Sequence, residues 1–227
     1  MVVVAWLAWI FFVFFASQFA VLGIAEVLPI SLEDTLTMTV VEAAVYLLML
    51  VLAVGGPWLI RKSIRLPKLR KLFAVARRIK GSDILRGVGY ALIYYLILVA
   101  VMLPLTFLLP DIMNQEQALG FEQIGNSWWQ LCLIFIALVI VAPVAEELVM
   151  RGLLFGRIRA RLPFWPTAII ISLTFAIAHL QVNVAIDTFI LSMVMCYVRE
   201  KSGTIYPTIL MHIIKNGLAF GLLFLTF

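Results

Sequence analysis

The sequence predicts an all-α membrane domain, a polytopic helix bundle of about seven transmembrane spans, and three observations carry that expectation. The 227 residues are 64% hydrophobic and only 13% charged, where a soluble domain is roughly half apolar and about a quarter charged. The mean hydropathy of +1.12 comes from apolar runs near the ~20 residues that cross a hydrocarbon core. The charges fall between those runs, with cations on alternate connections.

The first run, residues 2–25, has no Lys or Arg before it and exceeds the apolar stretch of a signal peptide, so it reads as an uncleaved first span. The second, 38–60, carries Glu42, read as solvated at the outer interface. A basic connection follows, from Arg61 to Arg86. Within it Leu66, Leu69, Leu72, Phe73, Ala76 and Ile79 recur near helical spacing, which allows either a plain topogenic loop or an amphipathic helix lying on the anionic leaflet. The third and fourth spans cover residues 88–109 and 128–145. The C-terminal third divides into 164–180, 184–198 and 205–227, the middle one short enough to be tilted or partly re-entrant.

Orientation follows from the cations. Arg61–Arg86, then Arg157, Arg159 and Arg161, then Arg199 and Lys201 lie on one side, opposite Glu26, Glu33, Asp34, Asp111, Glu116, Glu122 and Asp187. The positive-inside rule places the N-terminus in the cytoplasm and the C-terminus outside. The net charge of +5 is thereby explained by the bilayer, and no nucleic-acid partner is expected. Cys132 and Cys196 stand alone in apolar runs and read as buried packing residues. No stretch is polar and long enough for a second folded unit, so residues 1–227 read as one domain, with 1–110 as N-terminal spans and basic loop and 128–227 as its core.

Ionisable groups inside a bilayer are costly and usually mark function. Here they are Glu146, Glu147 and Arg151 at the end of span four, His179 in span five, and His212, Lys215 and Asn216 in span seven. On a regular helix Glu147 and Arg151 are one turn apart with the acid N-terminal, the favourable order for an ion pair. Glu146 is rotated by about 100° from its neighbour and stays available as a base. His212 and Asn216, also four apart, present two hydrogen-bond donors suited to a developing oxyanion. This inventory suits attack of water on an amide. Ser172 and Thr174 read as packing or backbone-bonded hydroxyls, Phe175 as a lipid-facing or packing aromatic, and Lys215 has no assigned role.

The depths must also agree. With the cytoplasmic boundary at Arg151, Glu146 lies about 8 Å inside and His179, counted from Pro163, about 24 Å. Moving the boundary to Arg157–Arg161 sinks Glu146 by about 17–22 Å and brings His212, about 14 Å beyond Gly203, to a similar level. Span four must therefore run past Arg151, with Pro143 as a candidate kink.

In order, residues 146–151 read EExxxR, 175–179 FxxxH and 212–216 HxxxN. Over roughly residues 128–227 the chain resembles the CPBP family of CAAX prenyl proteases and bacteriocin-processing proteins, also called the ABI family, which are intramembrane glutamate proteases. The resemblance implies that Glu146 and His179 activate water, that His212 and Asn216 form the oxyanion site, and that Glu147 and Arg151 support them, with no cofactor. It implies a peptide or lipidated-protein substrate reached from the cytoplasmic side. Eukaryotic and archaeal members remove the last three residues of prenylated CAAX proteins, and many bacterial members are linked to bacteriocin self-immunity. Two other readings stay open. Glu146, His179 and His212 could hold zinc as a His₂Glu set, although HExxH is absent, or the protein could be a non-enzymatic immunity or scaffold protein. A transporter is disfavoured, since no pair of broken helices recurs in corresponding halves.

Overall fold

A computed structural model describes residues 2–27, 35–61, 70–115 and 127–224. The regular structure in these segments is helical: α1 Val2–Val27, α2 Thr35–Arg61, α3 Gly81–Leu108, the single turn α4 Pro110–Met113, α5 Trp128–Arg159, α6 Phe164–Ile177, α7 Val182–Ser202 and α8 Tyr206–Phe224. Among the described residues, α1, α3, α5, α7 and α8 are long and apolar enough to cross a membrane, while α2 over Thr39–Gly55 and α6 are shorter apolar helices. Large apolar side chains such as Phe12, Phe19, Leu47, Val51, Leu96 and Phe107 are exposed. Lipid tails solvate such a surface at no cost, and the protein is an integral, multi-pass membrane protein.

Two compact units make up the chain. The first comprises Met1–Leu69, Ala118–Val149 and His212–Phe227. In it α1 packs on α2, burying Ile10, Val13 and Ser17 on one stripe and Val45, Met49 and Ala53 on the other, each at helical spacing. The N-terminal part of α5 and the C-terminal part of α8 enclose Ile134, Val139 and Phe220, with Leu131, Leu138, Ile213 and Phe224 around them. Phe135 meets Phe220 edge-on, ring centroids 5.4 Å apart.

The second unit comprises Arg70–Gln117 and Met150–Met211. Its centre is the α6–α7 pair. Ala168, Ser172 and Ala176 on α6, and Thr188, Ser192 and Cys196 on α7, are all buried at four-residue intervals. Small side chains at that spacing let two helices approach closely where no hydrophobic effect drives them together. Ser192→Leu is therefore expected to wedge the pair apart at a cost of about 1–3 kcal/mol. Thermal unfolding in detergent checks this, with Leu173→Ala on the exposed face of α6 close to neutral.

Several boundaries differ from the sequence reading. Helix α3 starts seven residues before the predicted span, because the Asp83 carboxylate accepts from the Lys80 N–H at 2.9 Å and binds Arg77 through two contacts of 2.6 Å. A capped, paired acid is no barrier to a helix start. The amphipathic alternative fails over residues 73–80, which run in turns and extended chain; residues 62–69 lie outside the described ones. Thr204 Oγ1 donates to the Ala74 carbonyl at 2.8 Å and Tyr206 Oη to that of Arg77 at 2.9 Å, which holds this stretch by its backbone. Helix α7 exceeds the predicted 184–198 at both ends. Asp187 is thereby in the helix and not in a loop, where it accepts a hydrogen bond from the buried Tyr94 of α3. At the other end Glu200 pairs with Arg159 at 2.9 Å, and the helix stops at Gly203, whose φ of +70° suits glycine. Cys132 is exposed, contrary to expectation, while Cys196 is buried; an exposed thiol on an apolar helix face suits lipid contact.

Candidate active site

Helix α5 positions the two glutamates, and it is not a regular α-helix. Ala142–Glu147 is α-helical between two wider, π-helical stretches, Ile136–Val141 and Leu148–Leu154. Such wide turns are rare and frequently lie at functional sites. The Ala142 N–H reaches back five residues to the Ala137 carbonyl, and Pro143, which follows, has no N–H to donate. Pro143, the candidate kink, thus follows a wide turn. The span does continue past Arg151, to Arg159.

In the first unit His212 stands between both glutamates. Its Nδ1 lies 3.3 Å from Glu147 Oε1 and its Nε2 lies 3.6 Å from Glu146 Oε2. Glu147 is fully buried and His212 nearly so, while the Glu146 side chain keeps 18% of its surface. Glu146 is the more accessible acid. Its second oxygen, Oε1, accepts a hydrogen bond from Tyr46 Oη of α2 at 3.1 Å. Glu42, one helical turn before Tyr46, lies within electrostatic range of Glu146. Asn216 donates from Nδ2 to the Leu138 carbonyl at 2.9 Å.

In the second unit His179 is not within a helix. Helix α6 ends at Ile177, His179 N–H bonds the Ala176 carbonyl at 3.1 Å, and Leu180 has φ +56°. The 14 residues of α6 rise only about 21 Å, so the imidazole sits in the turn that closes a short helix. Its Nδ1 lies 2.8 Å from the Phe175 carbonyl, which places the ring proton on Nδ1 and leaves Nε2 as an acceptor. The buried Phe175 ring meets His179 edge-on at 4.9 Å, and the Arg151 guanidinium lies over the same ring, 4.8 Å from its centroid. Phe175 is therefore a packing aromatic between two motif residues and does not face lipid. Arg151 is fully buried, and its carbonyl accepts from Arg199 Nε at 3.1 Å. It lies in the wide stretch Leu148–Leu154.

Glu42 and Tyr46 are absent from the sequence-based set. The signal was present in Glu42, an acid inside an apolar run with an aromatic hydroxyl one turn later. Tyr46→Phe removes a hydrogen bond to a charged group, a contact worth about 1.5–3 kcal/mol, and is expected to slow turnover by roughly ten- to a hundredfold. Steady-state kinetics checks it, with Tyr95→Phe as the control. Among the described residues no group of three His, Cys, Asp or Glu side chains is placed to hold a metal ion.

Residues 128–218 match the family model of type II CAAX prenyl endopeptidase Rce1-like proteins. The match contains Glu146, Glu147, Arg151, His179, His212 and Asn216, and it is to the kind of protease that the three motifs resemble. No curated protein and no solved structure matches the chain.

Proposed function

We propose that the chain is an intramembrane endopeptidase that cleaves a peptide bond of a lipidated protein or peptide, in the manner of CAAX processing, with water activated by Glu146. The observation that most supports this reading is the Glu146–His212–Glu147 cluster, inside the residues that match a CAAX endopeptidase model. An ionised Glu147 only accepts hydrogen bonds, so it fixes a proton on His212 Nδ1 and orients the ring. Nε2 then faces Glu146, with 3.6 Å between Nε2 and Oε2.

Water entering beside this pair loses its proton to Glu146 as its oxygen attacks the scissile carbonyl. The Nε2–H of a protonated His212 stabilises the oxyanion, and the proton on Glu146 passes to the leaving amine as the C–N bond breaks. The resemblance gives His179 a part in activating the water. Arg151 and Phe175 keep that imidazole in place. The cation distribution supports a cytoplasmic N-terminus, an outer C-terminus and a site entered from the cytoplasmic side.

The test is purified protein in liposomes, offered peptides that end in a prenylated CAAX sequence and the same peptides unmodified. Release of the last three residues from the prenylated set is the expected result. Binding without cleavage of any peptide would favour an immunity or scaffold role, and stoichiometric zinc by elemental analysis would favour the metal-dependent variant.

A further inference from the structure

Asn216 gives one of its two N–H donors to a backbone carbonyl, and the covalent structure of the chain explains why that carbonyl needs one. In the wide stretch Ile136–Val141 hydrogen bonds run back five residues, as from the Ala142 N–H to the Ala137 carbonyl. The next carbonyl, that of Leu138, would take its bond from residue 143, which is proline. Asn216 Nδ2, 2.9 Å away, occupies that place. A carbonyl in apolar surroundings without a partner is costly. Without Asn216, the Ala142 N–H could return to the Leu138 carbonyl four residues back, and the wide turn would tighten. Removing one residue from the turn rotates everything after it by about 100°. Glu146 and Glu147, three and four residues beyond Pro143, would then turn away from His212.

We infer that Asn216 is a positioning residue, acting on the reaction through the Leu138 carbonyl by holding α5 in the wide register that aims Glu146 at His212. This deepens the proposed function and rests on it. Asn216 and His212 lie four residues apart on α8, so the helix that carries the imidazole also sets the register of the acids facing it.

The pairing with proline gives a direct test, because Pro143→Ala supplies an N–H to the same carbonyl. Wild type, Asn216→Ala, Pro143→Ala and the double variant are compared for cleavage of a prenylated CAAX peptide and for thermal midpoint in detergent. In the wild-type background Asn216→Ala should lower kcat by about 10²-fold with KM little changed, the scale of a catalytic group displaced by about 1 Å. In the Pro143→Ala background the same change should cost less than about threefold, and its effect on the midpoint should shrink in parallel. Asn216→Asp, which keeps the shape and loses the donor, should be as slow as Asn216→Ala. An equal loss of kcat in both backgrounds would assign Asn216 to the oxyanion and overturn the inference, as would wild-type turnover by Asn216→Asp. If no peptide is cleaved by wild type, the proposed function fails, while the four midpoints still decide: their additivity would refute the Asn216–Leu138 link.

Discussion

Glu146→Gln is expected to abolish hydrolysis while leaving peptide binding intact. The carboxamide keeps the shape of the side chain and can still accept the hydrogen bond from Tyr46, which lies 3.1 Å from Oε1, but it cannot take a proton from water. Loss of a general base alone costs about 10²–10⁴ in rate. Here the same carboxyl also delivers the proton to the leaving amine, so the loss should reach the upper end of that range or pass it. Single-turnover cleavage with enzyme in excess measures the residual rate, and a binding assay with the prenylated peptide shows whether affinity is retained. Glu147→Gln should be less severe, since it weakens the orientation of His212 without removing the base.

Arg151→Ala is expected to cause the largest loss of stability. Arg151 is the largest of the fully buried side chains, and its guanidinium lies over the Phe175 ring at 4.8 Å. Removing it opens a cavity and strands the groups that compensate a buried charge, which together cost about 3–5 kcal/mol. A drop of that size rivals the whole stability of many domains, so low expression or aggregation would accompany it. Thermal unfolding in detergent against Arg161→Ala, an exposed arginine, separates a buried role from general charge loss, and the control should change by less than about 0.5 kcal/mol. If the variant folds, cleavage should also fall, since Phe175, which packs on His179, would lose the cation over its ring.

The spans were legible because the apolar runs are long and the charges between them few, and the motif residues were legible because ionisable groups stand out in apolar helices. What escaped the sequence has physical causes. Asp83 and Arg86 look like the edge of a span, yet the Asp83–Lys80 cap and the Arg77 pair let α3 begin before them. His179 reads as one residue of a helical run, yet α6 stops at Ile177 and Leu180 takes a left-handed φ. The wide stretches of α5, Ile136–Val141 and Leu148–Leu154, leave no mark in the apolar pattern, and the Leu138 carbonyl in the first of them is bonded by an asparagine 78 positions away. Tyr46 resembles any packing tyrosine until its hydroxyl is found on Glu146. Local pattern thus placed the groups on their helices, while tertiary hydrogen bonds set the register in which those groups face each other.

The central claim, that Glu146 makes water the nucleophile at a peptide bond, is tested most directly by mass spectrometry of a prenylated CAAX peptide incubated in ¹⁸O-water with wild type and with Glu146→Gln. The account predicts that wild type releases the last three residues and leaves one heavy oxygen in the new terminal carboxylate, and that the glutamine variant yields no such product; an intact peptide with wild type, or equal labelling by the two proteins, would contradict it.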